Sequence, residues 1–239
     1  MNIWDQTWQW LSRPGRWSWS DPAGIPYRTL EHLGFSALSL AVAAILTIPF
    51  ALWLAHYRRG AFLAGSVVNI GRAVPSFGLI ILVWYLASRW QFSTSFWPLL
   101  IALVALALPP LFANTYAGVI SVDAGAVDAA RGTGHTETQI MLGVELPLAS
   151  PVILAGARVA FLQLIATVAI GAIVNDGGGL GRYIVDGFAQ GAGGYGEILA
   201  GGVAVVLLAL ACDGLFSLLT RLAVPKGLTA TTAVRARAL

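Results

Sequence analysis

Asp128-Ala129-Ala130-Arg131-Gly132-Thr133-Gly134, continuing through His135-Thr136-Glu137 to Leu146-Pro147, is the stretch on which the reading of this chain turns. It is polar and carries Asp128, Arg131, His135, Glu137 and Glu145, yet it sits between two long apolar runs. Its punctuation predicts two short helices. Residues 121–131 form the first, stopped by Gly132 and Gly134, which tolerate the left-handed geometry of a helix C-terminus. Thr136 stands three residues before Gln139, the capping-box spacing, and opens a second short helix over 135–143. Pro147 and Pro151 are expected to reset the chain direction, because proline is accepted in a first turn and not deep in a helix. The expected product is a compact helix–turn–helix lodged between membrane spans.

The flanks are read as membrane-embedded on composition. The chain is 57% hydrophobic and 10% charged, with a mean hydropathy of +0.76. A soluble domain carries about 25% charged residues, and a larger core would not remove the need to cover a wet surface. The single cysteine, Cys212, excludes an internal disulfide and a cysteine metal cluster. An all-α membrane protein follows, because a spanning helix satisfies its own backbone in lipid.

Working outward, five spans are expected at about 33–55, 60–88, 96–120, 148–174 and 198–220, each near the roughly 20 residues a hydrocarbon core requires. Pro49 bends the first, Arg72 and Pro75 interrupt the second, and Pro109-Pro110 break the third, which Asn114 closes. Residues 1–29 form a tail with five tryptophans, in which Ile3, Trp4, Trp8 and Leu11 share one side of a short helix suited to the headgroup layer. Between the fourth and fifth spans, 175–197 is glycine-rich. It lacks the preceding strand and the Lys-Ser/Thr of a phosphate cradle. It is read as an external turn followed by a short amphipathic helix carrying Tyr183, Ile184 and Phe188. Residues 223–239 are a tail.

Arginine placement orients the chain. With 121–147 cytoplasmic, so are Arg58, Arg59, Arg221, Lys226, Arg235 and Arg237, while Arg13, Arg16, Arg28, Arg89 and Arg182 lie outside. Five spans then place the N-terminus outside and the C-terminus in the cytoplasm.

Catalytic readings find no footing. The one lysine, Lys226, is followed by Gly227 and lies outside any glycine-rich loop, so the chain is no P-loop ATPase of the usual kind. His32, His56 and His135 are scattered without metal-ligand spacing, and no metal or cofactor is expected on this chain.

The polar stretch resembles the cytoplasmic loop of ABC importer permeases, which reads E-A-A, three residues, G, nine residues, I, any residue, L-P. Here Asp128-Ala129-Ala130, Gly134, Val144 and Leu146-Pro147 occupy those places, with Asp for Glu and Val for Ile as the two departures. Beyond it, Glu31–Leu33, Ala51–Gly60, Asn69–Ser76, Gly177–Gly181 and Ala209–Asp213 are similar to permeases of glycine betaine, carnitine and choline importers, although methionine importers share some of these patches. The resemblance covers about 30–222. It implies a five-helix type I importer core (MetI-like) in a bacterial cell membrane. It also implies a cytoplasmic ATPase dimer that holds ATP and magnesium, a second permease, identical or homologous, and a separate external binding protein. No nucleic-acid partner is expected. Asp128, Ala129, Ala130, Gly134, His135, Thr136, Glu137, Gln139, Leu146 and Pro147 are then the ATPase-coupling residues, with close backbone approach at Gly134 where a side chain should clash. A methionine or other amino-acid permease is the alternative within transport; a membrane scaffold or receptor that moves no solute is the alternative outside it.

Arg72, Arg158 and Asp213 lie inside apolar runs, where charge is expensive and must face protein or water. Opposite sign at similar depth predicts that Asp213 bonds Arg158 or Arg72. Pro75, Ser76, Pro109, Pro110 and Asn114 are pathway or hinge candidates, because prolines free carbonyls inside the bilayer.

Overall fold

The computed structural model describes residues 2–90, 96–174 and 178–223, with Arg72 described by its backbone alone. Among them every regular element is helical. In chain order these are α1 (Ile3–Leu11), α2 (Ile25–His56), α3 (Ala61–Ala73), α4 (Ser76–Arg89), α5 (Phe96–Ile120), α6 (Ala124–Gly132), α7 (Glu137–Ile140), α8 (Leu146–Gly171), α9 (Gly181–Ala189) and α10 (Tyr195–Ala223). Short 3-10 turns at Pro14–Trp17 and Gly191–Gly194 and a π-helical turn at Met141–Glu145 complete the set.

Four helical runs are long and apolar enough to cross a bilayer: Ile25–His56, Phe96–Ile120, Glu137–Gly171 and Gly191–Leu222. A fifth crossing is available if α3 and α4 act as one broken span, for they bend by 90° at the break. Proline explains the bend. Pro75 precedes α4 in an extended conformation (φ −65°, ψ 119°), and a proline pushes the residue before it away from helical geometry.

The fourth span departs from expectation. Pro147 and Pro151 do not reset the chain; residues Glu137–Gly171 run as one helix of 35 residues. The π-turn is the reason. Leu146 donates its N–H five residues back, to the Met141 carbonyl, so the hydrogen-bond register is already shifted where Pro147 has no N–H to give. The second short helix expected at 135–143 is therefore the first turns of the span itself.

The described residues group into two compact units, one drawn from the ranges 1–42, 74–107 and 161–212, the other from 43–73, 108–160 and the part of 213–239 that is described. In the first, α1 does not lie free as a tail. Trp10 is buried with Leu180, Tyr183 and Ala200, and its ring meets Tyr183 edge-on at 4.9 Å. The Arg16 guanidinium lies over the Trp10 ring at 4.1 Å from its centroid. Of the four residues expected on the membrane-facing side, Ile3, Trp4 and Trp8 stay exposed, whereas Leu11 packs against this core. Burial pushes the Tyr183 hydroxyl up to about 12, and that hydroxyl donates to the Ala23 carbonyl at 2.8 Å.

His32 pins the glycine-rich turn. It is fully buried; the Leu180 N–H donates to its Nδ1 at 3.3 Å, which leaves Nε2 to donate to the Ile165 carbonyl at 2.8 Å. Gly179 sits against it at φ +55°, where a Cβ would come within 2.6 Å of His32 Cβ and 2.8 Å of its Cα. Gly178, Gly179 and Gly181 serve close packing here.

In the second unit, Arg58 holds the rare left-handed backbone of a non-glycine residue (φ 54°) just after α2. Its guanidinium donates to the Ile120 carbonyl at 3.1 Å, capping the end of α5 with a cation. Leu52, Ala55, Val119, Val122, Val127, Ile140, Ala149 and Ile153 form one apolar cluster there. That cluster draws on α2, α5, α6, α7 and α8, and it roots the polar stretch in the bundle.

Candidate coupling hairpin

The hairpin is assembled from cap to cap. Asp123 opens α6 by accepting the Ala126 N–H at 3.1 Å. At the other end the Thr133 hydroxyl bonds the Ala130 carbonyl at 2.8 Å, and the His135 N–H reaches the same carbonyl at 3.2 Å. Gly134 makes the turn at φ +85°. Gly132, in contrast, is an ordinary helical residue. Thr136 and Gln139 then form a reciprocal capping box, with the Thr136 N–H donating to Gln139 Oε1 at 2.8 Å and the Gln139 N–H to Thr136 Oγ1 at 3.4 Å.

At Gly134 the chain itself leaves room. A Cβ built there meets nothing within 4 Å, so no part of this chain forbids a side chain by contact. The backbone does disfavour one, since left-handed geometry costs an L-residue about 1–2 kcal/mol. Any steric demand at that position belongs to whatever docks on it.

Charge closes the turn. Arg131 grips Glu137 through two parallel bonds, Nε to Oε1 at 2.8 Å and a terminal nitrogen to Oε2 at 3.0 Å, and reaches Asp128 at 3.1 Å. Glu137 holds the Arg131 guanidinium above its ordinary range. Glu137 also meets His56 Nε2 at 3.1 Å, and His56 Nδ1 meets Glu145 Oε2 at 2.6 Å. His56 and Glu145 are almost wholly buried, with side chains 3% and 2% exposed. Sequence reasoning placed His56 only among scattered histidines and gave Glu145 no role. Positions 89 apart offer no periodicity or motif that could pair them.

The result is a hairpin with two faces. Val127 and Ile140 are buried underneath, while Asp128, Ala129, Gly134, His135, Thr136, Gln139 and Pro147 are exposed. Ala130, Glu137 and Leu146 are half-buried at the edge. A polar surface held by paired caps and a bidentate ion pair, running without a break into a span, is mechanically a short rigid lever.

The intramembrane charges resolve to one pair. Arg158 on α8 donates Nε to Asp213 Oδ1 and a terminal nitrogen to Oδ2 of the same residue on α10, both at 2.6 Å. Each side chain is about a third exposed (38% and 35%). The side chain of Arg72 lies outside the described residues. The proline candidates are placed on separate elements: Pro75 and Ser76 at the start of α4, Pro109 and Pro110 inside α5. Asn114 donates from its amide to the Pro110 carbonyl at 2.8 Å and packs on Gly156 of α8, where a Cβ would strike it. Gly71 is likewise packed against Pro109. Among the described residues no group of three or more His, Cys, Asp or Glu side chains could hold a metal ion.

A bundle of apolar helices with a rooted polar hairpin between two of them defines a class: the membrane-spanning permease subunit of an ATP-binding-cassette importer, whose ATPase is on another chain. Residues 47–226 match the family described as binding-protein-dependent transport system inner membrane component, and the chain belongs to that family. It is 31% identical over 202 residues to the choline transport system permease protein OpuBB of Bacillus subtilis (strain 168), covering 84% of this chain and 89% of that one. It is 32% identical, with the same coverage, to the glycine betaine/carnitine/choline transport system permease protein OpuCB of that organism. Among solved structures it is similar to a chain of the inward-facing MetNI methionine ABC transporter, with a TM-score of 0.71 at 21% identity over 84% of this chain and 96% of that one. That likeness places the fold; at such identity it says nothing of the solute.

Proposed function

We propose that this chain is the permease of an importer for small quaternary ammonium osmoprotectants of the glycine betaine, choline and carnitine kind. The observation that carries the transport mechanism is the hairpin 121–147, exposed on one side, anchored on the other, and continuous with the 35-residue helix Glu137–Gly171. ATP-driven closure of two ATPase subunits pushes on its exposed surface, and the rigid turn passes the displacement to the spans, which alternate between inward and outward access. The hairpin faces the cytoplasm, the N-terminus lies outside and the C-terminus inside. A second permease, identical or homologous, and an external binding protein complete the assembly. ATP and magnesium reside on the ATPase, and this chain needs no cofactor of its own.

The solute reading is supported by the choline and glycine betaine/carnitine/choline permeases to which the chain is 31–32% identical. A quaternary ammonium is recognised by aromatic faces, and those can sit on the binding protein. Uptake of radiolabelled glycine betaine, choline, carnitine and methionine in a strain lacking the chain tests it. Loss confined to the first three is expected; loss of methionine uptake alone would select the amino-acid reading, and no loss at all would favour a scaffold. Orientation is tested in a Cys212→Ser background by single cysteines at Thr138 and Trp8. Thr138→Cys should react with an impermeant maleimide only after the cell is opened, and Trp8→Cys in intact spheroplasts.

A further inference from the structure

The continuous helix is one route by which a push on the hairpin enters the bundle. The His56 cluster is a second. His56 is the last residue of α2, and its ring is 3% exposed. Its two nitrogens point at two carboxylates from different turns of the neighbouring helix, Glu137 at 3.1 Å and Glu145 at 2.6 Å. Nδ1 is hydrogen-bonded to Glu145 Oε2, and Nε2 lies within ion-pair distance of Glu137 Oε2. The Tyr57 ring, edge-on at 4.8 Å, packs against the imidazole. Arg131 faces it only through Glu137, which it holds bidentate.

We propose that His56 is a positioning residue for coupling: it clamps the hairpin to the end of the first long span through Glu137 and Glu145, so that α2 moves when the hairpin is pushed. Two features argue for this over a plain packing role. Glu145 is 2% exposed, and a buried carboxylate is tolerated only when paired. Glu137 precedes the π-turn and Glu145 is its last residue, so the two carboxylates span the place where the helix hydrogen-bond ladder is least regular. Bridging Glu137 to Glu145 through one ring stiffens that stretch while tying it to α2.

This inference rests on the hairpin being the ATPase contact, as argued above. The test uses the complete importer in proteoliposomes with its ATPase and binding protein, reading glycine betaine (or choline, if the uptake panel selects it) transported per ATP hydrolysed. His56→Leu is expected to lower that ratio about tenfold, the scale of coupling within one ion-pair network, with the ATPase still co-purifying. His56→Lys places several donors on a cation between the same two carboxylates and is expected to stay within about twofold of the unmodified ratio. An unchanged ratio in His56→Leu overturns the proposal, as does a His56→Lys importer as uncoupled as His56→Leu. Should His56→Leu not reach the membrane, His56→Lys and Glu145→Gln decide: the proposal requires the first to hold the ratio and the second to lower it, and equal or reversed ratios overturn it. Gly134→Asp run alongside separates the two levels. Uptake surviving there removes the hairpin reading and the clamp with it; uptake lost there, with no change across the His56 series, removes the clamp alone.

Discussion

Gly134→Asp is expected to abolish uptake, by about a hundredfold or more if the position behaves as the centre of a docking surface, while the chain still inserts and the ATPase still turns over. The structure sharpens the reason. Gly134 has open space around it within this chain and a φ of +85°. A substituent there therefore acts in two separable ways, through backbone strain and through contact with the partner. Asparagine and aspartate are the residues that tolerate left-handed backbone best, so Gly134→Asp and Gly134→Asn keep the strain small and place a side chain at the turn. If both variants lose uptake with unchanged membrane levels, the cause lies in the groove of the ATPase. Full uptake in either one would show that nothing docks against the turn closely enough to need glycine.

Asp213→Ala is expected to be the other severe change. Removing the carboxylate leaves Arg158 on a membrane-spanning helix without the two bonds it now makes at 2.6 Å. A lone charge in a span must find water or distort the bilayer. Membrane levels of Asp213→Ala and of Arg158→Ala should each fall several-fold, because modest losses of stability change steady-state abundance on that scale. The exchange Arg158→Asp with Asp213→Arg restores the pair in reverse and should recover most of the protein. Because each side chain is about a third exposed in the single chain, transport by the exchanged importer is informative in its own right. Recovered levels with normal uptake make the pair a tie between α8 and α10, and recovered levels without uptake would place its charges in contact with the solute.

The residues differ in how far they could be read without coordinates. Lipid as solvent followed from composition, since no fold can hide a deficit of charge this large. The break at Pro75 and the capping box of Thr136 and Gln139 were legible because they are local effects acting within four residues, whereas Pro109, Pro110, Pro147 and Pro151 lie inside helices that continue past them. The Arg158–Asp213 pair was legible for a related reason: two unlike charges stranded in apolar runs have few other ways to be satisfied. The burial of Trp10 was not legible in the N-terminal helix, since helical periodicity shows that a helix has sides and not what covers them. Trp10 is covered by Tyr183, far along the chain, and by Arg16, six residues on.

What the linear chain determined, then, is its solvent, its helices, the polar insertion between two of them and the family that insertion signals. All of these arise from short-range chemistry or from bulk transfer energy, which order along the chain preserves. The tertiary structure alone decided that Pro147 sits inside a helix that continues, because a π-turn had already shifted the hydrogen-bond register. It alone decided that Gly134 is free of its own chain and that His56 meets Glu137 and Glu145. These depend on how separate helices come together, and packing between distant segments leaves no periodic trace in either segment by itself.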